Sequence, residues 1–443
     1  MPLSDLKLMA SDPTLPTQSD VVVIGAGIVG ASTAYYLARK GLHVALLDKG
    51  QVGAEQSSRN WGWCRQQNRD EREIPLVIKS LATWDRLATE IGADAGFRKT
   101  GLSFVSDVAA DIALWDDWNR MASQYGVPSR TLSAREAQAM TPGCDTKWLG
   151  GTTCTTDGSA EPGLATTLIA EAARGHGATI HQECAARGIE TSGGRVSGVV
   201  TERGVIRTQA VVCAGGAWTS RFCARHGIDL PQANVRGTAF RTSAAPGVIK
   251  TPLYTPQFTI RPRLDGSYTV SLNGRGRLEI TPRGIKYTRY FLPLLRLRFR
   301  GLRFRIGRSF FEGPEALGRW SDDAVSPFER TRVLDPWPDP AIVKEGIEAL
   351  RAAYPALRDL QVTQAWAGAI DSMPDAIPVI SAVDKLPGLV ISTGYSGHGF
   401  GIGPAAGELT AQLVTGDTPI VDPSPYRYTR LFDGTGGEAP KLF

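Results

Sequence analysis

Three closely spaced glycines near the N-terminus, Gly25, Gly27 and Gly30, point most directly to a chemistry. They follow the apolar, β-branched run 20–24 and precede a stretch typical of a helix, 31–39. In this arrangement the first glycine permits a tight turn, the second lets the backbone approach a pyrophosphate, and the third lets helix and strand pack closely. The phosphates then lie at the N-terminus of the helix. The spacing therefore predicts a dinucleotide-binding turn.

A second apolar run, 43–48, ends at Asp48. An acid in this place accepts hydrogen bonds from the ribose hydroxyls of a dinucleotide. Because the residue is an acid and not an arginine, NADP is disfavoured. The glycine motif alone does not distinguish FAD from NAD.

Four further segments carry glycines or polar side chains where strands and helices should meet: 53–62, 157–162, 210–218 and 388–401. Taken in this order, they resemble the D-amino-acid oxidase superfamily of FAD enzymes, which includes glycine oxidase, sarcosine oxidase and D-amino-acid dehydrogenase. The resemblance spans about residues 20–413 and implies FAD as the cofactor.

Within this superfamily the chain resembles the bacterial L-amino-acid deaminases in particular. The likeness lies in the segments 55–59, 184–190 and 261–268, and in an insertion at 285–311. Two features differ from the deaminases. Their N-terminal membrane segment has no counterpart here, and their carboxylate-binding arginine aligns with Asn273.

The resemblance also implies which residues contact FAD. Some relatives link FAD to a cysteine near their C-terminal region, but no cysteine of this chain follows Cys223, so we expect FAD to be bound non-covalently. The residues expected to contact it are Gly25, Gly27, Ile28, Val29, Gly30, Asp48, Lys49, Ser57, Ser58, Arg59, Asn60, Gly62, Trp63, Ala186, Ala214, Gly215, Trp218, Gly368, Gly397, His398, Gly399, Phe400 and Gly401.

In such enzymes the flavin accepts hydride from the carbon next to nitrogen, and the protein positions the substrate. An amino acid substrate needs a cation for its carboxylate, and the fork of an arginine binds both oxygens. Arg275 is favoured, because it lies two residues beyond Asn273 and so on the same face of a strand. Arg65 is the second candidate and would line the pocket near the flavin. Arg261 and Arg263 complete the set.

His398 lies in the glycine-rich loop 394–401, which by resemblance passes beside the flavin ring. It could contact substrate or flavin, or lie on the surface. Asp371 could bind a substrate amine, although capping a turn is the favoured interpretation. The chain's five histidines lack the spacing of zinc ligands, so no metal site is expected.

The predicted fold class is α/β: a Rossmann-type FAD-binding domain interleaved with an antiparallel-sheet α+β substrate domain, as in glycine oxidase and sarcosine oxidase. The active site should lie between the two domains. The predicted boundaries are a flexible N-terminal tail at 1–19, the FAD-binding domain at 20–90, 146–232 and 362–430, and the substrate domain at 91–145 and 233–361, with a basic insertion at 275–311.

The chain has 443 residues, 42% of them hydrophobic, and a formal net charge of +5, which is too mild to indicate nucleic acid. The charge is unevenly distributed, however. Residues 275–308 contain eleven basic side chains against the single acid Glu279, so this stretch carries about +10 and the remainder about −5. The six cysteines form no CxxC pair and are expected to be buried free thiols.

From Leu295 to Arg300 arginine alternates with Leu or Phe, which predicts a strand, and Pro293 argues against one continuous helix. Three interpretations stay open for this insertion: contact with an anionic membrane surface, a strand pair covering the substrate domain, and, least favoured, nucleic acid. The predicted partner set therefore includes a peripheral membrane contact through 285–311 and no nucleic acid.

The sequence thus predicts an FAD enzyme that oxidises the C–N bond of an amino acid, yielding a 2-oxo acid and ammonia, with oxygen or a quinone as electron acceptor. Two alternatives remain: oxidation of a secondary amine such as an N-methyl or cyclic imino acid, and an FAD subunit of a hetero-oligomeric dehydrogenase. Because no signal peptide or membrane span is recognisable, the expected location is the cytoplasm. A peripheral position at the inner face of the cell membrane is the alternative that the basic insertion adds.

Overall fold

The computed structural model describes residues 5–436. Within that range the helices are α1 (Ile28–Arg39), α2 (Gln56–Arg59), α3 (Ile74–Ile91), α4 (Ala109–Ser123), α5 (Ala134–Met140), α6 (Pro162–Gly175), α7 (Thr219–Arg225), α8 (Pro282–Arg298), α9 (Pro327–Arg330), α10 (Pro340–Ala353) and α11 (Gly399–Thr415). The strands are β1 (Val21–Ile24), β2 (Val44–Leu47), β3 (Trp63–Cys64), β4 (Leu102–Ser106), β5 (Ser129–Ser133), β6 (Gly150–Cys154), β7 (Gly158–Ser159), β8 (Thr179–His181), β9 (Ala186–Ser192), β10 (Arg195–Thr201), β11 (Gly204–Arg207), β12 (Ala210–Cys213), β13 (Ala233–Thr242), β14 (Leu253–Tyr254), β15 (Thr259–Pro262), β16 (Tyr268–Ser271), β17 (Gly276–Glu279), β18 (Leu302–Arg305), β19 (Val362–Ser372), β20 (Val379–Ala382) and β21 (Leu389–Thr393).

A six-stranded sheet in the order β20-β21-β12-β1-β2-β8 forms the nucleotide-binding half of the molecule. All its neighbours pair in parallel except β20 with β21. Val21 and Val23 of β1 pack on one side of the sheet and Val22 on the other, so the strand is buried on both faces. This explains the continuous apolar run in the sequence, since parallel sheets are covered on both faces.

A ten-stranded mixed sheet forms the other half, in the order β18-β17-β13-β16-β15-β14-β4-β6-β5, with β19 also paired to β13. The pairing of β13 with β19 extends from Ala233 opposite Ser372 to Thr242 opposite Val362. These two long strands lead from the ten-stranded sheet towards the six-stranded sheet, and the main cavity of the protein lies between the sheets.

The structure corrects two of the predicted domain boundaries. The strand β6 was placed in the FAD-binding segment 146–232, yet it pairs with β4 and β5 in the ten-stranded sheet. The strand β19 was placed in the segment 362–430, yet it pairs with β13 of the same sheet. The glycine turns beside these strands resemble nucleotide-binding turns, but hydrogen-bond partners far along the chain decide which sheet a strand joins.

Residues 267–272 alternate between polar and apolar side chains, and all of the strand β16 within them is buried. Val270 packs into a core with Ile342, Ile347 and Leu350, because α10 covers this face of the sheet. In this strand, alternation of polar and apolar residues therefore does not indicate that one face is exposed to water.

The predicted flexible tail is contradicted for residues 5–19; residues 1–4 lie outside the described part of the chain. Lys7 and Asp12 donate backbone hydrogen bonds of 2.8 Å to Gly163 and Ile180, respectively. The Asp5 carboxylate pairs with Arg241 and Arg263 of the ten-stranded sheet. The segment is thus held against the surface by polar contacts that its low hydrophobicity does not reveal.

The insertion also differs from its prediction, because α8 is one continuous helix that includes Pro293. A proline removes one backbone donor and leaves the carbonyl four residues earlier without its usual partner. Here Pro293 and Arg289 are both exposed, so water can solvate that carbonyl. The strand of the insertion lies after the helix, in β18, which pairs in parallel with β17.

Candidate active site between two sheets

A cavity of about 650 Å³ runs from the ends of the six-stranded sheet to the helix α8. One end is formed by residues after β2 and β12, such as Asp48 and Gly215, and by Ala186 of β9. The other end is formed by β13, β17 and one face of α8. The cavity is therefore elongated, and its two ends belong to different sheets.

The glycine turn after β1 brings backbone very close to backbone. Gly25 has φ of +99°, and a Cβ atom on it would lie 2.5 Å from the carbonyl oxygen of Ala214. A Cβ atom on Gly30 would lie 1.8 Å from the carbonyl oxygen of Gly25. The turn thus requires glycine at both positions, and it directs the N-terminus of α1 at the cavity, as a pyrophosphate site requires.

Two side chains brace this turn. Asp48 accepts hydrogen bonds from the backbone N–H groups of Ala26 (2.8 Å) and Gly50 (2.7 Å). Burial raises the pKa of the Asp48 carboxyl, and Lys49 partly offsets the effect. Ser57 Oγ accepts from the backbone N–H of Ile28 at 2.9 Å. The end of the cavity beside Asp48 and Ser57 fits the adenosine and pyrophosphate of a dinucleotide. In the same wall the Lys49 ammonium lies 4.6 Å from the ring centre of Trp218.

The glycine-rich loop before α11 forms the cavity wall further along. Gly394 and Gly397 have φ of +78° and +92°. Asp371 of β19 supports the loop by accepting hydrogen bonds from the N–H of Gly394 (2.8 Å) and from Thr393 Oγ1 (3.2 Å). Burial raises the pKa of the Asp371 carboxyl to about 6. Asp371 thus caps a turn, as the favoured interpretation predicted, but the turn is the one after β21 and not a turn next to Asp371 in sequence.

Most of the residues predicted to contact FAD line this cavity. They are Gly25, Gly27, Ile28, Val29, Asp48, Lys49, Ser57, Arg59, Asn60, Trp63, Ala186, Ala214, Gly215, Trp218, Gly368, Gly397, His398, Gly399 and Phe400.

The other four predicted contacts lie outside the wall. Gly30 packs beneath Gly25, and Ser58 borders a smaller cavity of about 290 Å³. Gly62 lies against the carbonyl of Ala160, and the carbonyl of Gly401 accepts hydrogen bonds from Ser80 and Trp84. Close backbone packing explains these three glycines.

Arg65, Arg69 and Glu73 lie four residues apart in one segment, and all three are buried. Arg65 and Arg69 line the cavity. Burial lowers the pKa of both guanidinium groups, and their mutual repulsion lowers that of Arg65 further. The guanidinium of Arg65 lies over the rings of Trp63 and Phe104, at 5.9 and 5.5 Å. Two cations in the same buried wall create a site for an anion.

Glu73 contacts the glycine-rich loop. Its Oε1 lies 2.7 Å from Nε2 of His398. Both side chains are buried, so the surface-loop alternative for His398 is wrong. Burial lowers the pKa of the His398 imidazole, Glu73 opposes this change, and Arg69 and Arg65 reinforce it. Arg69 and Glu73 were not among the residues predicted from the sequence, because the segment that holds them has neither a motif nor a regular apolar pattern.

The favoured carboxylate-binding residue, Arg275, is placed differently from the expectation. It lies at the cavity rim, but its guanidinium is half-exposed and pairs with Glu345 at 3.0 Å. Asn273 also lines the cavity. Arg261 is buried in a two-point salt bridge with Glu161, and Arg263 pairs with Asp5. Among the four arginines proposed from sequence, Arg65 is the one buried in the cavity wall without a carboxylate within salt-bridge distance in the described chain.

The end of the cavity beneath α8 is largely apolar. Residues at helical spacing line it from one face of the helix: Gly284, Thr288, Phe291, Leu295 and Arg298. Opposite them lie Val235, Leu278, Leu302 and Phe304. An elongated cavity with a glycine turn at one end and an apolar lobe at the other can hold a dinucleotide and a second, smaller molecule.

The profile of one protein family, described as FAD dependent oxidoreductase (DAO), matches residues 20–413. The chain belongs to this family. Its fold is also that of the L-amino acid deaminase from Proteus myxofaciens, solved in complex with anthranilate, with 32% identity, a TM-score of 0.91 and 96% of each chain covered. The glycine oxidase of Pseudomonas aeruginosa is 28% identical over 92% of this chain and 97% of its own length.

Family membership makes the protein an FAD-dependent oxidoreductase and confirms the predicted superfamily and fold class. The L-proline dehydrogenase of P. horikoshii has the same fold, with 25% identity, a TM-score of 0.77 and 95% of this chain covered. Across residues 5–436 no group of three or more histidine, cysteine or acidic side chains is arranged to hold a metal ion. No helix in that range is long and apolar enough to cross a membrane.

Proposed function

We propose that this protein oxidises the C–N bond of an amino acid with a bulky apolar side chain. When bound, FAD supplies the chemistry by accepting a hydride from the substrate carbon next to nitrogen. The observation that carries the proposal is the position of the buried cations Arg65 and Arg69 in the wall of a cavity whose far lobe is apolar. The imine product then hydrolyses to a 2-oxo acid and ammonia.

Each part of the substrate has a matching region of the wall. The carboxylate fits beside Arg65, with Arg69 adding charge, because an arginine fork binds both oxygens. The apolar side chain fits the lobe formed by Phe291, Leu295 and Val235. The same walls exclude water, which strengthens the attraction between guanidinium and carboxylate.

A flavin-reduction screen tests this proposal. The purified protein with FAD is mixed anaerobically with L- and D-amino acids, imino acids and N-methyl glycine, and the loss of flavin absorbance is followed. We expect reduction by amino acids with large apolar side chains and release of ammonia. Reduction by N-methyl glycine with release of methylamine would favour the secondary-amine alternative, and reduction by no compound would favour an FAD subunit that needs a partner.

Oxygen or a membrane quinone is the proposed electron acceptor. Oxygen consumption by the protein with its substrate, compared with reduction of a soluble quinone analogue, distinguishes the two. We also propose that FAD is bound non-covalently. Cys64 is buried outside the cavity wall, whereas Cys184 and Cys213 line it. We expect precipitation with acid to leave the flavin in the supernatant, and flavin in the pellet would indicate a covalent link to one of these cysteines.

The exposed face of the insertion supports the proposed peripheral membrane contact at the inner face of the cell membrane. We name this face the docking surface. Its exposed apolar residues are Ile285, Leu292, Leu297, Phe299, Phe304, Ile306 and Phe311, and its exposed basic residues are Lys286, Arg289, Arg296, Arg300, Arg303, Arg305 and Arg308. Apolar side chains enter the lipid interface while basic ones bind anionic headgroups.

Trp337 extends the docking surface beyond the insertion. This side chain is 82% exposed, and Asp339, two residues later, pairs with Arg303 of β18. Tryptophan favours the boundary between headgroups and hydrocarbon. Because basic, apolar and tryptophan side chains occur together here, we propose an anionic lipid membrane as the partner of the docking surface.

Sedimentation with vesicles tests the docking surface. We expect binding to vesicles that contain anionic lipid and much weaker binding to neutral ones. Replacing Arg300, Arg305 and Arg308 together by glutamine should weaken binding about 100-fold, since each basic residue contributes about 1 kcal/mol. Leu149→Ser is the control, because Leu149 is exposed near β6, towards the opposite edge of the ten-stranded sheet. Equal sedimentation of the triple variant would contradict the proposal.

A further inference from the structure

The buried contact between Glu73 and His398 determines which nitrogen of the imidazole meets the carboxylate. A carboxylate only accepts hydrogen bonds, so the contact of 2.7 Å requires the proton on Nε2 of His398. In the neutral ring the other nitrogen, Nδ1, then carries a lone pair. His398 belongs to the cavity wall and directly precedes α11. The ring is therefore held as a potential proton acceptor at the reaction site.

We propose that His398 takes the proton from the substrate ammonium and that Glu73 is the positioning residue that orients its ring. The proposal rests on the proposed function, because an amino acid arrives with a protonated amine whose lone pair is needed when hydride leaves the adjacent carbon. One N–H bond of the ammonium breaks and one N–H bond forms at Nδ1. The imidazolium that results is stabilised by the Glu73 carboxylate.

The surroundings of the pair keep the His398 ring neutral, so that Nδ1 is free to accept a proton. The charged and titratable groups that face it are Arg65 and Arg69 from its own segment, Tyr395 from the glycine-rich loop and Tyr426 near the C-terminus. Burial and both arginines lower the pKa of His398, so the ring is neutral at pH 7. Burial also raises the pKa of both tyrosines, so they remain uncharged. Glu73 opposes the lowering of the His398 pKa, and its carboxylate stabilises the imidazolium once the proton has been transferred.

His398 of the Glu73–His398 pair lies in the same cavity wall as the proposed carboxylate site at Arg65 and Arg69. Arg65, Arg69 and Glu73 follow one another at intervals of four residues in the same segment. A carboxylate bound at the arginines brings the neighbouring ammonium towards the part of the wall where His398 lies. The segment thus recognises one charged group of the amino acid and, through His398, removes the charge of the other.

The pH dependence of flavin reduction tests the proposal in the enzyme with FAD. In the unaltered enzyme, reduction should fall at acidic pH as His398 becomes protonated. In Glu73→Gln the amide still accepts the Nε2 hydrogen bond, but the negative charge is gone and the pKa of His398 falls further. We expect the pH at which the reduction rate falls on the acidic side of the profile to decrease by about one unit. We also expect the reduction rate at pH 8 to fall roughly tenfold. Glu71→Gln is the matched control, because Glu71 is an exposed acid in the same turn. An unchanged profile in Glu73→Gln would overturn the proposal.

A second measurement needs no turnover. The chain has five histidines, and nitrogen chemical shifts of ¹⁵N-labelled histidine report the proton position in each ring. We expect the His398 signal, assigned by its absence in His398→Asn, to show the proton on Nε2. The opposite tautomer would overturn the proposal. Absence of flavin reduction by any amino acid, together with the expected tautomer, would instead show that the proposed function has failed while the pair itself stands.

Discussion

Arg65→Ala is expected to raise the amino acid concentration needed for half-maximal flavin reduction by roughly 30-fold or more. The guanidinium is buried in the cavity wall, and the loss of a charged hydrogen-bonding partner for a buried carboxylate costs about 2 kcal/mol or more. Arg65→Lys should recover only part of the affinity, because an ammonium cannot bind both oxygens at once. The measurement is the dependence of the anaerobic reduction rate on substrate concentration.

Arg275→Ala provides the comparison for this prediction. The Arg275 side chain is half-exposed and pairs with Glu345, so its removal should change the half-maximal concentration by less than about twofold. A large loss in Arg275→Ala together with no loss in Arg65→Ala would restore the sequence-based choice of Arg275 and contradict the assignment to Arg65.

Gly30→Ala is expected to abolish retention of FAD and to lower the free energy of unfolding by about 3 kcal/mol. The added Cβ would lie 1.8 Å from the carbonyl oxygen of Gly25. Gly25 lies in the turn after β1 and Gly30 in the first turn of α1, so neither backbone can move away without opening the turn. The turn that faces the pyrophosphate must then open. The ratio of flavin to protein absorbance after purification and the denaturant midpoint measure the two effects.

Gly175→Ala is the matched control for the glycine turn. Gly175 ends α6, and a Cβ atom there would meet no other atom within 4 Å. This variant should retain FAD and unfold at an unchanged or slightly higher denaturant concentration, since alanine favours the helical backbone. Retention of FAD by Gly30→Ala would show that the turn tolerates a shift that its close contacts do not suggest.

The nucleotide-binding half of the molecule was predictable because its signals are local. The β1 run, the glycine turn and Asp48 follow one another within thirty residues, and each has a direct physical role. The later segments were assigned through resemblance, and their residues line the cavity where strands end. Family membership confirms the predicted FAD chemistry.

The active-site cations were harder to assign because their setting is not local. The prediction that Asn273 and Arg275 lie on one strand face is wrong, because both residues lie in the turn between β16 and β17. Their spacing also does not reveal that Glu345 on α10 pairs with Arg275. Arg65 and Arg69 lie in an irregular segment with no helical or strand period. Their burial depends on packing against Phe104 and the glycine-rich loop, which are distant in sequence.

The insertion shows how a short pattern can mislead. The alternation over Leu295–Arg300 favours a strand, but the residues facing the cavity recur at helical spacing from Gly284 to Arg298. The longer pattern decides because burial of one helix face offsets the loss of a backbone hydrogen bond at the exposed Pro293.

The helix α8 separates two surfaces: one of its faces closes the apolar lobe, and the other belongs to the docking surface. Two ligands that contact opposite sides of one helix are thermodynamically linked whenever either of them changes its position. Reciprocity then requires equal factors: if vesicles tighten substrate binding fivefold, substrate must tighten vesicle binding fivefold. With only α8 between the two proposed sites, the fraction of enzyme bound to the membrane would rise with the concentration of the amino acid substrate.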